Sequence, residues 1–201
     1  MILLACVALW FSYEKLLIWI SGPKFPKKWN TNLLSATHSV LSWLECYAVL
    51  NGWGSLNEIY HFSVSYFLYD LKNHKLNTIY VPHHILSIIA LIYGTHPGVD
   101  KPWILWGYLL TEFGNFPLYV MYAMINHYNQ TYHQRWYKHV LIWEFIWFVV
   151  FRIIAVSYVL TYTQLPYTHL IGFVLQLANI KWSLGLYKKI KTEVGFFKKV
   201  K

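Results

Sequence analysis

The run YKHVLIWEFIWFVVFRIIAVSYVL, Tyr137 to Leu160, decides the fold. It is long enough to cross a bilayer as a helix, which takes about 20 mostly apolar residues. Yet it carries Glu144 and Arg152 in its interior. A charged side chain at mid-span costs about 2.5–3.5 kcal/mol on insertion scales, so neither belongs against lipid. One stretch therefore predicts both a transmembrane helix and a polar interior for it to face.

Comparable runs occur along the whole chain. They are Ile2 to Ile20, Thr31 to Leu50, a short one at Ile59 to Leu71, Ile79 to Tyr93, Trp103 to Ile125 and Tyr167 to Tyr187. With the opening run they make seven, separated by Gly22-Pro23, Gly52 and Gly54, Pro97-Gly98 and Pro166. Composition agrees: of 201 residues 57% are hydrophobic and only 12% charged, about half the usual charged share of a soluble domain. Disorder is excluded. Cys6 and Cys46 alone support neither a disulfide scaffold nor a cysteine zinc module.

Basic residues orient the spans. Thirteen Lys and Arg fall in alternate connections and the tail, against Lys101 alone on the other side. That asymmetry predicts seven spans with the N-terminus outside and the C-terminus in the cytoplasm. The net charge of +9 is then topology and contact with anionic lipid heads, and predicts no nucleic-acid partner. The first span has no basic leader and carries Glu14-Lys15, so it reads as a span rather than a cleaved signal. The sequon Asn129-Gln130-Thr131 falls in a cytoplasmic connection and is expected to stay unmodified.

The in-span ionisable residues carry the functional reading. On depth, His38, Asp70, His83, His84, Glu144 and Lys181 share the cytoplasmic half of the membrane, with Glu112 nearer the middle. Glu45 and Arg152 fall toward the outer half, where a structural pairing is expected. In Tyr80-Val81-Pro82-His83-His84, Pro82 suits a first helical turn. Adjacent helical residues point about 100° apart, so one histidine can react while the other bonds a neighbouring helix. The active reading is a neutral imidazole acting as base or nucleophile, oriented by Asp70. The plain alternative is a pair of helix-end histidines solvated by headgroups. Glu112 precedes Gly114-Asn115-Phe116-Pro117. Pro117 frees the carbonyl near Phe113, which Asn115 is expected to help satisfy, leaving either a kinked helix with a structural carboxylate or a cavity wall presenting Glu112 and Asn115.

Rival motifs fail. The HxxHH box of elongases has Tyr80 at its first position, no HxxxH ligand pattern occurs, and no metal site is expected. GxGxxG, P-loop and GxSxG sequences are missing.

The chain resembles the TLC domain family of endoplasmic-reticulum membrane proteins. The matching stretches are Ala36-Thr37-His38-Ser39, FSVSYFLYDL ending at Asp70-Leu71, Pro82-His83-His84-Ile85, LLTEFGNFPLY around Glu112, and Phe151-Arg152. They span about Trp29 to Tyr187. The resemblance implies an all-α, polytopic membrane protein: an extra helix over residues 1–22, a six-helix barrel-like bundle around a polar cavity over 23–187, and a basic cytoplasmic tail over 188–201. Some members are ceramide synthases, which move a fatty acyl group from acyl-CoA to a long-chain base; their essential residues are an adjacent histidine pair, which maps onto His83 and His84, and acidic residues nearby. The synthases have an aspartate-rich stretch where this chain has Glu112-Phe113-Gly114-Asn115, which looks closer to the branch tied to lipid homeostasis. The cavity set is His38, Glu112, Asn115, Glu144, Arg152 and Lys181, with Glu112 or Lys181 holding the acceptor head.

No bound cofactor is expected, only acyl-CoA as co-substrate and membrane lipids as partners. Lys198 and Lys199 look like a di-lysine retrieval signal for coat proteins, placing the chain in the endoplasmic reticulum. Acyl transfer, non-enzymatic lipid binding and a trafficking-receptor role all stay open at the level of sequence.

Overall fold

The computed structural model describes residues 2–22, 27–73, 80–94, 101–127 and 130–194. Lys198, Lys199, Asn129 and Pro97-Gly98 lie outside the described residues. Among those described, every regular element is helical. The helices are α1 (Ile2–Ser21), α2 (Lys27–Leu50), α3 (Leu56–Asp70), α4 (Tyr80–Gly94), α5 (Lys101–Phe113), α6 (Phe116–His127), α7 (Gln130–Phe148), α8 (Val156–Leu160) and α9 (Pro166–Val194). A π-helical turn, Val149–Ala155, joins α7 to α8.

Three continuous helices are long and apolar enough to cross a membrane: Ile2–Ser21, Trp136–Leu160 and Pro166–Glu193. Their outer faces stay apolar and open, with Leu4, Trp19, Ile154, Leu170 and Phe173 all exposed. Apolar surface on this scale has lipid as its natural neighbour. The protein is a helical one, suited to a membrane.

Local chemistry explains the helix ends. Gly52, at φ +80, closes α2 with a Schellman turn: Trp53 N–H bonds Ala48 O at 2.8 Å and Gly52 N–H bonds Val49 O at 3.1 Å. Nothing lies within 4 Å of a Cβ built there, so the glycine serves backbone conformation alone. Ser55 and Glu58 then form a reciprocal capping box, which starts α3 at Leu56, a turn ahead of the expected Ile59. The expected single run from Trp103 to Ile125 is two helices, because Gly114 and Asn115 leave the helical path ahead of Pro117. The last helix passes Tyr187 and carries Lys188, Lys189 and Lys191 on its final turns, so the expected tail boundary at residue 188 falls inside a helix.

Packing places α3 at the centre. Its faces are covered by α1, α2 and α4, and Ser63 through Phe67 are all buried. Helix α2 also packs on α5 and α6, α6 on α7, α7 on α9, and α9 on α4. Helix α1 is peripheral, burying only Trp10 and Leu17. It is fastened by Trp10 Nε1 donating to Ser65 Oγ at 3.1 Å and by the Lys72–Glu14 ion pair at 2.6 Å. Lys72 Nζ also lies 4.1 Å from the Phe11 ring and 4.0 Å from the Tyr69 ring, so cation–π attraction adds to the pair.

Candidate functional site

Two chambers meet inside the helices. The larger, about 480 Å³, is walled by α2, α3, α4, α6, α7 and α9, with Glu112 from the end of α5 and Arg152 from the π-helical turn. The smaller, about 100 Å³, lies between α4, α5, α8 and α9 and is lined mainly by apolar side chains such as Leu91, Ile104, Val156 and Leu175. His83, Glu112 and Arg152 line both. These three form the partition between a polar space and an apolar one.

Helix α4 splits its two histidines as the 100° step requires. His84 is buried, its Nδ1 3.7 Å from Asp70 Oδ2 at the end of α3, and its ring lies 5.1 Å from that of Phe67. His83 turns toward α9 and meets the edge of Trp182 at 4.8 Å. Its Nδ1 is buried and has no hydrogen-bond partner among the described residues. One imidazole thus sits beside a carboxylate, while the other stands at the partition with a ring nitrogen uncommitted.

The α5–α6 break builds the partition. Glu112 is 4% exposed; its Oε2 accepts a short hydrogen bond from Ser39 Oγ and one of 3.4 Å from Asn115 Nδ2. Arg152 Nη1 donates to Asn115 Oδ1 at 3.1 Å. A carboxylate only accepts and a guanidinium only donates, so a side-chain amide can bridge both where neither charge alone could. Gly114 makes the approach possible, since a Cβ there would collide with Arg152 Cγ.

Two expectations about this break are corrected. The Phe113 carbonyl is taken by Trp147 Nε1 at 2.9 Å rather than by Asn115, which is engaged by the charges. Arg152 pairs with Asn115, and among the described residues it forms no ion pair with Glu45, whose Oε2 is left without a partner. The Trp147 bond gives a direct test. Trp147→Phe keeps the ring and strands a carbonyl, and is expected to destabilise the protein by about 1–3 kcal/mol, read as a lower melting temperature of the detergent-purified protein.

The π-helical turn holds Arg152 in place. Widening a helix frees backbone carbonyls, and α9 supplies the donors: Asn179 Nδ2 reaches Arg152 O at 3.2 Å and Gln176 Nε2 reaches Ile153 O at 3.4 Å. The guanidinium carbon lies 5.1 Å from the Phe148 ring and 5.3 Å from that of Trp182.

The remaining expected residues divide. His38 lines the larger chamber but is held in an aromatic box, stacked on Tyr66 at 3.8 Å and joined to Ser42 Oγ at 3.1 Å. Glu144 lines the same chamber at 1% exposure, its Oε2 without a partner among the described residues. Lys181 is corrected: it is exposed on the outer face of α9 and lines neither chamber. The inward stripe of α9 runs Asn179, Trp182, Leu186, Lys189 at helical spacing, and Lys181 lies about 100° off it. Lys189, Trp182, Ser39 and Tyr122 were not anticipated; for the first two, that stripe was the available signal.

Compared with known protein families, curated proteins and solved structures, the chain finds no match.

Proposed function

We propose that the protein is a multi-pass membrane enzyme of lipid metabolism that transfers a fatty acyl group from acyl-CoA to a lipid acceptor. The observation that carries this reading is the His84–Asp70 pair opening into a polar chamber that meets an apolar one at His83. An amphipathic substrate needs both environments at one point, and a base belongs where they meet.

In this account the chain crosses the membrane seven times, with the α5–α6 pair and the α7–α8 run each counted as one span. Six spans form a TLC-like barrel around the chambers, and α1 stands outside. The succession of contacts from α2 through α3, α4, α9, α7 and α6 back to α2 supports that arrangement. Loop charge supports a cytoplasmic C-terminus. With Lys189 on its wall the larger chamber then faces the cytoplasm, where acyl-CoA is found. Residence in the endoplasmic reticulum, with Lys198 and Lys199 addressing coat proteins, completes the reading.

The chemistry is balanced within the site. The imidazole of His84, oriented by Asp70, takes the proton of the acceptor hydroxyl or amine. The freed lone pair attacks the thioester carbonyl, the C–S bond breaks, and the CoA thiolate leaves with the proton returned by the imidazolium. His83 is placed to contact the acyl carbonyl at the partition. The experiment is transfer of labelled acyl chain from acyl-CoA to extracted membrane lipids by the purified protein in liposomes. Labelled lipid formed by wild type, and not by the His83→Ala/His84→Ala double variant, supports the reading.

A second reading has its own observation. Glu112 is committed to Ser39 and Asn115, as a structural carboxylate would be, and a lipid-holding protein needs the chambers without the base. It is favoured if wild type binds lipid but transfers nothing, and if bulky substitutions in the chamber matter more than loss of either histidine.

A further inference from the structure

We propose that Arg152 forms an anion-binding subsite at the partition, receiving the phosphate or carboxylate of a single-chain lipid whose chain enters the apolar chamber. The inference rests on the reading that the chambers hold a lipid, and it deepens that reading by naming the acceptor's charge.

Arg152 is 4% exposed and lines both chambers. Its Nε has no acceptor among the described residues, and the guanidinium forms no ion pair among them. A charge so buried is stable only when its donors are met. Glu112 is the counter-charge nearby, reached across the Asn115 amide and not through a direct ion pair, so the guanidinium keeps an open edge. Asn115 fixes one nitrogen with a neutral oxygen, Phe148 and Trp182 cover the cation, and α9 amides cap the π-helical turn that carries it. Single π-helical turns recur at functional sites, where the cost of the irregular backbone is offset by placing a side chain. An arginine fork with a free edge matches a phosphate or carboxylate, two donors to two oxygens.

Other charges on the larger chamber's wall do not occupy that edge. Glu112 accepts from Ser39 and Asn115, Asp70 faces His84 Nδ1, and Glu144 lies eight residues back along the α7 run, about two turns away. Lys189, on the same wall, acts on Glu144 and so offsets that carboxylate's charge. A cationic amine acceptor, such as a long-chain base, would meet the guanidinium at close range in a poorly screened space and be repelled. An anionic head would be drawn in, its chain passing His83 into the space lined by Leu91, Ile104 and Leu175.

The test is equilibrium binding of labelled oleoyl lipids to the detergent-purified full chain, with no acyl-CoA present. The probes are a lysophosphatidate, oleate and the uncharged monoacylglycerol. Wild type is expected to bind both anionic lipids at least about tenfold more tightly than the monoacylglycerol. Arg152→Gln is expected to lose about 10- to 100-fold in affinity for the anions and little for the neutral lipid, while Arg152→Lys keeps the preference. Where Arg152→Gln fails to fold, Asn115→Asp keeps the arginine and supplies it with a built-in anion, at the cost of the Asn115 bond to Glu112, and is expected to abolish the preference. Competition with inorganic phosphate separates the sources: displacement of the lipid marks a site open to soluble anions, and its failure marks one that takes its anion with a chain. Equal binding of neutral and anionic lipid by wild type, or a preference retained by both Arg152→Gln and Asn115→Asp, would overturn the proposal. Since transfer is not measured, such a result leaves the acyl-transfer reading to stand or fall on its own assay.

Discussion

His84→Ala is expected to lower acyl transfer by about 10²- to 10⁴-fold, the range for loss of a positioned general base. His84 is the imidazole beside a carboxylate, with Nδ1 3.7 Å from Asp70 Oδ2, and both side chains are buried. In the proposed transfer, a carboxylate there would fix ring orientation and stabilise the imidazolium formed as the acceptor loses its proton. Asp70→Asn keeps the shape and removes the charge, so it too is expected to lower the maximal rate by a large factor with little change in KM. That split separates positioning from substrate binding. His83→Ala is expected to act differently. Its ring packs on Trp182 and lines both chambers, so its loss is expected to raise KM for acyl-CoA as well as slow transfer. A His84→Ala protein that is folded, present at normal levels and as active as wild type would remove the base from the account.

The second large effect is structural and falls on a single hydrogen atom. Gly114→Ala places a methyl against Arg152 Cγ, with Arg152 Cδ at 3.0 Å and Leu110 O at 3.3 Å. Cγ is the base of the arginine stem, so it cannot swing aside as the tip could. Overpacking of this kind costs about 1–3 kcal/mol. Relief requires moving Arg152 away from Asn115, which leaves a buried guanidinium and a buried amide unmet. The expected result is a fall of about 2–10 °C in the melting temperature of the purified protein, with a larger fall for Gly114→Val. Loss of anionic-lipid preference is expected to accompany it. A wild-type melt for both variants would contradict the tight partition.

Much of this was legible in the sequence because the period of the apolar runs and the cost of charge in lipid are local facts. The pattern placed all seven apolar runs on helices, and the break at Gly114–Pro117 was visible from proline's missing N–H. The coincidence of His38, Asp70, His83, His84, Glu112, Asn115, Glu144 and Arg152 around one chamber follows from the same logic. Helix ends were less legible where the signal was capping rather than hydropathy: Ser55 and Glu58 carry a capping box that an apolar count passes over.

What stayed hidden depended on pairings across the fold. Depth alone put Lys181 among the cavity residues, but rotation about the helix decides which side is met, and the inward stripe belongs to Trp182 and Lys189. Depth likewise suggested Glu45 for Arg152. The π-helical turn and the amides of α9 instead carry the guanidinium to Asn115. The bond from Trp147 to the Phe113 carbonyl joins residues on different helices, and no one-dimensional pattern marks it.

The most direct test of the account is a structure of the purified protein in a lipid membrane, determined with a non-hydrolysable acyl-CoA analogue and endogenous lipid present. The expected result is lipid density through both chambers, its head beside Arg152, its chain among Leu91, Ile104 and Leu175, and the analogue's carbonyl near His83 and His84. Chambers that stay closed, or lipid confined to the outer faces of the helices with none between His83 and Arg152, would contradict it.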